Sequence, residues 1–521
     1  MAHQLISNYI IDGIPQTIFV DIEKNLIGFL LEGFVAHCTT KIEDSIVSTS
    51  PDNIIVVREN GTQQFYLTVK IIEENLDRVP ERKRTTILDQ YKNAVERIED
   101  GMLLSDDSIT VNELQNKVEL DFGVEVEDLG IRYDYQNGFR ITVPDDTWTI
   151  SLYNRLLGDT TVVNGSTLVN ARWCIPWDFE VFHDNVSVYK HKYDLKDKTV
   201  LLYGGMAIGD SIAWMPYVVE FYRRHQMKEL LVQTNEPMIP LFKQYCKGLR
   251  ITFINNLSEV KDKKIYASYL IGLHFSKKYH QFLTPIPVVN QPLESVVSWQ
   301  LGLTPEDATP LRFQVETKRL SERPYVCIAG LSSGKFKDWN NPIGWPTVIN
   351  YLEELGYEVF DIDKGATIDV GGTVVSVAPK PTDKTIGDFP LEERAQNLAG
   401  ADFFIGVSSG LCWLARAVGC PTVMIGGYSL PTNEYRNPYR VFNPLVCCGC
   451  LQDGSIELNR FNYFWCPKHS GDFEREFECS TKISPQSVIL KIQELMKDYQ
   501  LDPKNNKLRT QQCNLLTHRP D

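Results

Sequence analysis

Positive charge is in short supply along this 521-residue chain: 53 lysines and arginines face 67 aspartates and glutamates, for a net charge of −14. An acidic balance of that size argues against a general nucleic-acid binder, which needs a basic footprint. A long uninterrupted apolar run is also missing. The most apolar region, Phe403 to Gly427, is broken by Ser408, Ser409, Gly410, Arg416 and Pro421, so it reads as a soluble unit and not as a membrane span. The opening MAHQLISNYIIDGIPQ lacks the basic start and the apolar run of a signal peptide. The expectation is a cytoplasmic protein with neither nucleic acid nor membrane among its partners.

With 43% hydrophobic and 23% charged residues, a packed core is within reach, and the length suits two to four domains. Phe403 to Gly427 organises that core. It reads as an apolar strand, a loop of small polar residues (Ser408, Ser409, Gly410), a helix, a Gly-Cys-Pro break and a second apolar strand. Two such strands joined by a helix must run parallel, and a parallel sheet needs cover on both faces. Small residues at the helix start let backbone N–H groups face outward as an anion site, or else merely cap the helix.

The same alternation extends in both directions. From Thr199 come strand TVLLYGG, helix MAIGDSIAWMPYVVEFYRRH, strand ELLVQT, helix PMIPLFKQYC and strands RITFI and KIYASYL. From Tyr325 come strand YVCIAG, helix GWPTVINYLEELG, strands YEVFDID and TVVSVAP, and helix PLEERAQNLAG. Two such runs predict two Rossmann-like halves facing a cleft, with ligands beyond the C-terminal strand ends. Upstream, Asn137-Gly138 between two β-type runs signals a hairpin within a β-rich module. Residues 1–125 offer short β-type runs (Thr17 to Val20, Ile54 to Val57, Phe65 to Val69) and a charged helical segment from Glu81 to Glu99, but no site chemistry. The expected divisions are 1–125, 126–195, 196–318, 319–445, a finger over 446–482, a helix over 483–500 and a polar tail over 501–521.

Three loops could carry chemistry. In the first, glycines place Asp210 at a helix start, where it is either a cap or a general base; no G-x-G-x-x-G follows, so this is not a dinucleotide fingerprint. The second, Gly330 to Asn340, offers Ser332, Ser333, Lys335 and Lys337, and a lysine there suits the charge on a leaving diphosphate. The third is a cysteine group. Of 12 cysteines, Cys447, Cys448, Cys450, Cys466 and Cys479 crowd together; Cys447 and Cys450 form C-x-x-C, and two more could complete a closed tetrahedral site for zinc or iron.

The GGMAIGDSIAW loop and helix, the KDWNNPIGW segment, SSGLCWLARAVGCP, GGYSLPTNEY and the cysteines of FWCP and FECS, taken in this order, resemble the bacterial autotransporter heptosyltransferases, relatives of the lipopolysaccharide heptosyltransferases of glycosyltransferase family 9. The resemblance covers most of the last 390 or so residues. It implies a two-domain GT-B enzyme that moves heptose from ADP-heptose to hydroxyls of a repetitive β-structured acceptor protein, as a large homo-oligomer. It implies Asp210 as catalytic base, Lys337 as phosphate contact, and Cys447, Cys450, Cys466 and Cys479 as ligands of a structural metal, iron ahead of zinc; Gly209, Ser332, Ser333, Ser409, Gly410 and Leu411 are expected around the nucleotide sugar. Where the lipopolysaccharide enzymes have Asp-Thr-Gly and a His, this chain has Ser408, Ser409, Gly410 and Trp413, which fits the protein-modifying branch. Two rival readings stay open on sequence alone: a nucleotide-sugar epimerase or hydrolase, and a non-enzymatic nucleotide-sugar-binding scaffold.

Overall fold

A computed structural model of the protein describes residues 3–11, 14–21, 26–29, 37–40, 54–59, 62–67 and 121–505, apart from 137, 170–172, 205–206, 274–283, 371, 457 and 460–461. The charged segment from Glu81 to Glu99, Gly205 and Met206 of the first loop, and the end of the polar tail therefore lie outside the described residues.

The chain divides into two compact units. The first comprises Met1–Val118 with Asp369–Val375 and Asn459–Phe464. Its described strands form two antiparallel three-stranded sheets, His3–Ile11 with Ile14–Asp21 and Leu26–Phe29, and His37–Thr40 with Thr62–Leu67 and Ile54–Glu59.

The second unit holds both α/β runs. In the first half, Ala267–Leu270, Thr199–Tyr203, Glu229–Gln233 and Ile251–Ile254 lie side by side and parallel. These strands read as continuous apolar runs because they are covered on both faces, and Leu201, Leu230, Leu231 and Val232 have no exposure at all. The hairpin around Gly138 joins Ile131–Gln136 to Phe139–Thr142, and its first strand pairs parallel with Ala267–Leu270, so the hairpin extends the core sheet. A four-stranded antiparallel sheet follows, ordered Asp159–Asn164, Thr149–Asn154, Trp177–His183, Val186–His191. It turns Ile150, Leu152, Phe179 and Val181, at period-two spacing, into the same core.

The second half is a five-stranded parallel sheet ordered Glu358–Asp361, Tyr325–Ala329, Phe403–Val407, Thr422–Ile425, Arg440–Val441. TVVSVAP is not among its strands: Thr373–Val377 pairs with Thr367–Val370 in a separate two-stranded hairpin. A β-type run of this kind carries no label for the sheet it joins. The expected helices over 344–355, 391–400 and 485–498 are present. The last presents Val488, Ile489, Ile492 and Leu495 as one apolar stripe against Val348, Ile349 and Leu352. The core of the first half continues into helix Gly410–Ala417 of the second through Trp413 and Leu414, so the two halves share one hydrophobic interior.

Candidate active site

Helix Ile208–His225 starts at the C-terminal edge of the first sheet, and Asp210 is its third residue. The Ala207 N–H donates to Asp210 Oδ2 at 3.4 Å, so this carboxylate caps its own helix. The residue before it is where the halves meet. A Cβ on Gly209 would lie 2.8 Å from Trp413 Cδ1, and a Cβ on Gly410 would lie 2.8 Å from Ile208 Cβ. Glycine at both positions lets the N-termini of helices 208–225 and 410–417 touch, which sets Asp210 beside the Ser408–Gly410 loop. Two helix N-termini brought together concentrate two partial positive charges, a repulsion that an anion bound between them would offset.

Ser409 occupies the N-cap of helix Gly410–Ala417 in extended conformation, yet its hydroxyl makes no capping hydrogen bond. The first-turn N–H groups of Gly410 and Leu411 are therefore not taken up by the residue best placed to take them. The capping alternative for Ser-Ser-Gly is not what the structure shows.

The Gly330 loop contributes from the side. Lys337 Nζ lies 3.1 Å from Ser333 Oγ and sits over the rings of Tyr428, at 5.5 Å, and Phe336, at 5.8 Å. Tyr428 follows Gly427 at the end of the Thr422–Ile425 strand, so Lys337 and Ser333 converge on the stretch that carries the helix start. Ser332 does not join them. Its hydroxyl lies 2.8 Å from Asp338 Oδ1, in a network where Lys335 Nζ donates to Ser376 Oγ (2.9 Å) and Ser376 donates to Asp338 Oδ2 (2.6 Å). Of this network, Lys335, Asp338 and Ser376 line a cavity of about 310 Å³ together with Gly330, Asn340 and Phe477. Burial holds the Lys335 ammonium below the usual lysine range, against the pull of Asp338.

Sequence reasoning missed Asp361 and Asp363. Asp363 accepts from the Gly330 N–H at 2.8 Å and the Leu331 N–H at 3.2 Å, fixing the root of the lysine loop. Burial pushes Asp361 up to about 6, and burial together with the neighbouring Asp361 holds Asp363 well above the carboxylate range. The signal was two carboxylates closing an apolar strand in FDID, where burial makes them costly unless they bind something.

The finger leans on the same stretch. Gly449 and Leu451 N–H groups donate to the carbonyls of Gly427 (2.8 Å) and Tyr428 (3.0 Å), and Trp465 meets Phe336 edge to face at 5.2 Å. Burial and then the other thiols, Cys450 and Cys466 before Cys447, push Cys479 up; Cys450 is pushed up to about 12 by burial, then by Cys447. The Phe477 N–H points at Cys466 Sγ at 3.5 Å. Cys447, His469 and Glu478 bring their ligand atoms within 4.8 Å of one another, and this is the possible metal-donor set that the described residues form. Glu478, however, is held by the Arg475 guanidinium (2.9 Å) and the Cys447 N–H (3.0 Å). The four cysteines expected as metal ligands do not form such a set among the described residues, and Cys466 already faces the Phe477 N–H. No helix among the described residues is long and apolar enough to cross a membrane.

Comparison with known proteins agrees with this geometry. Residues 272–441 match the family Glycosyltransferase family 9 (heptosyltransferase). Autotransporter heptosyltransferase Aah of Escherichia coli is 33% identical over 368 residues, 69% of this chain and 92% of that protein. The inactive autotransporter heptosyltransferase BimC of Burkholderia thailandensis is 30% identical over 366 residues, 69% of this chain and 84% of that one. Among solved structures, the dodecameric iron-containing heptosyltransferase TibC of enterotoxigenic E. coli, in complex with ADP-D-β-D-heptose, superposes with a TM-score of 0.67 at 30% identity, covering 73% of this chain and 98% of TibC. With two facing α/β halves, an open helix N-terminus between them and relatives matched along most of their length, the chain belongs to the autotransporter heptosyltransferases of glycosyltransferase family 9 and is a GT-B glycosyltransferase.

Proposed function

We propose that the protein transfers heptose from ADP-heptose to serine or threonine hydroxyls of an autotransporter-like acceptor protein, with inversion at the anomeric carbon. The observation that carries this reading is the contact of Gly209 with Trp413 and of Gly410 with Ile208, which brings a carboxylate and an uncapped helix start to one point. Asp210 takes the proton from the acceptor hydroxyl as its oxygen attacks the anomeric carbon. The bond to the diphosphate breaks on the opposite side, and the charge left on ADP is met by Lys337 and by the N–H groups of Gly410 and Leu411. These fixed positive groups supply the charge stabilisation without a divalent ion in the reaction.

TibC is described as iron-containing and dodecameric. A metal held by Cys447, Cys450, Cys466 and Cys479, and assembly into a homo-oligomer, belong to the same reading. When bound, the ion would cross-link the finger, and a closed set of four thiolates leaves it no position for substrate. Iron is the first expectation and zinc the second. A reducing, cytoplasmic setting suits the ten cysteines whose side chains are described, each of which is free.

The test uses the purified full chain, ADP-heptose and an autotransporter passenger domain, with ADP release and acceptor mass as readouts. Heptosylated acceptor and stoichiometric ADP, undiminished by EDTA, are the expected result. ADP-heptose turnover at full rate without acceptor would move the reaction to the hydrolase or epimerase reading. Donor binding with no ADP release on any acceptor would leave the scaffold reading instead.

A further inference from the structure

The segment from Gly427 to Tyr435 carries buried polar groups that the reaction above does not use. Glu434 Oε1 accepts hydrogen bonds from two hydroxyls, that of Ser408 and that of Ser429, the latter at 2.8 Å. Its other oxygen faces Arg440 Nε at 3.3 Å, and the two side chains are only 4% and 6% exposed. The contact is electrostatic and not an aligned hydrogen bond, since Glu434 Oε2 and Arg440 Nε and Nη1 are buried without hydrogen-bond partners among the described residues. A buried pair so incompletely satisfied does not earn its place through stability alone. What it holds is informative. Ser408 is the last residue before the N-cap of helix 410–417, and Ser429 follows Tyr428, on whose ring Lys337 rests. Arg440 also lies under Gly426, where a Cβ would come within 3.1 Å of Nη1, and Ser408 Cβ lies 3.6 Å from that same point.

We infer that Glu434, held by Arg440, is a positioning residue for the donor diphosphate, because it ties the helix start to the Tyr428 platform of Lys337. The inference rests on the diphosphate reading above. Glu434 touches no reacting atom; it fixes the spacing between the N–H groups of Gly410 and Leu411 and the ammonium of Lys337. The four side chains come from a strand end, a loop and a short strand, so a single carboxylate sets the relation among three chain segments.

The test is ADP binding to the full-length protein by titration calorimetry, with unliganded melting temperature as the control. Ser408→Ala removes one tie and leaves the Glu434–Arg440 pair in place, so it is expected to weaken ADP about tenfold while the melting temperature holds. Glu434→Gln leaves a buried guanidinium uncompensated and is expected to melt earlier as well, so Ser408→Ala carries the decision. When Ser408→Ala is combined with Glu434→Ala, which deletes the acceptor itself, the affinity losses should not add, because each change alone already removes the bond between Ser408 and Glu434. The KM for ADP-heptose should rise in step, with kcat little changed. Wild-type ADP affinity in a folded Ser408→Ala protein, or additive losses in the double variant, would overturn the inference and leave the diphosphate reading standing. A wild-type protein that binds no ADP would overturn that reading and this inference with it.

Discussion

At the scale of single residues, Asp210 and Lys337 divide the work in a way that kinetics can separate. Asp210 already accepts a hydrogen bond from Ala207, so Asp210→Asn keeps its shape and most of its capping while removing the base. The expected result is a fall in kcat of about 10²- to 10⁴-fold with ADP affinity retained, measured by ADP release and by calorimetry. A variant that kept full turnover would reduce Asp210 to a cap. Lys337 is built differently: it rests on two aromatic faces beside Ser333, whose hydroxyl is its hydrogen-bond partner among the described residues. Lys337→Ala should therefore weaken ADP by about tenfold or more, and more at low salt than at high salt. Unchanged ADP affinity at low salt would remove Lys337 from the donor site.

At the scale of elements, the junction between the second-half sheet and the cysteine finger is closely packed backbone against backbone. A Cβ on Gly427 would lie 2.3 Å from the Cys479 carbonyl oxygen and 2.8 Å from its Cβ, and backbone cannot swing aside as a flexible side chain can. Gly427→Ala should cost about 2–4 kcal/mol and lower bound metal and ADP affinity together. Gly454→Ala, whose added methyl would meet only Val289 at 3.9 Å, is the control within the finger. Melting curves and metal analysis of both proteins check this, and a Gly427→Ala protein with full metal content and native stability would uncouple finger and sheet. How much of this was legible follows the range of each interaction. Period-two and helical patterns are local, so the parallel strands and their helices could be read directly. The hairpin that joins Ile131–Gln136 to Phe139–Thr142 could be read for the same reason. TVVSVAP could not be placed, because a strand's partner is not written in its own residues. Glu434 lies in a loop with no local pattern, and its partners Ser408 and Arg440 are 26 and 6 residues away. Ser332 was grouped with Ser333 and Lys337 by adjacency, yet a turn at Gly334 sends its hydroxyl to Asp338.

At the scale of the whole molecule, the buried ionisable groups outside the site set how stability follows pH, and two of them pull in opposite directions. Asp361 is fully buried beside Asp363, and its carboxyl is pushed up to about 6. The folded state therefore binds a proton that the unfolded chain releases, so the contribution of this group is complete below the usual carboxylate range and is lost as pH rises through about 6. His191 sits among Tyr133, Tyr266 and Phe179, and burial and then Lys198 push it down to about 4. Its contribution is complete above the usual imidazole value and is lost as pH falls through about 4. The sum between those limits can look flat while both terms are large, so the wild-type profile alone decides nothing. The difference between wild type and Asp361→Asn reports on the Asp361–Asp363 pair. In urea unfolding, wild type should lose up to about 3 kcal/mol relative to this variant between pH 4 and pH 7, an upper bound because the pair also accepts backbone N–H bonds that favour its charged form. A difference that does not change with pH would mean that the buried aspartates hold no extra proton.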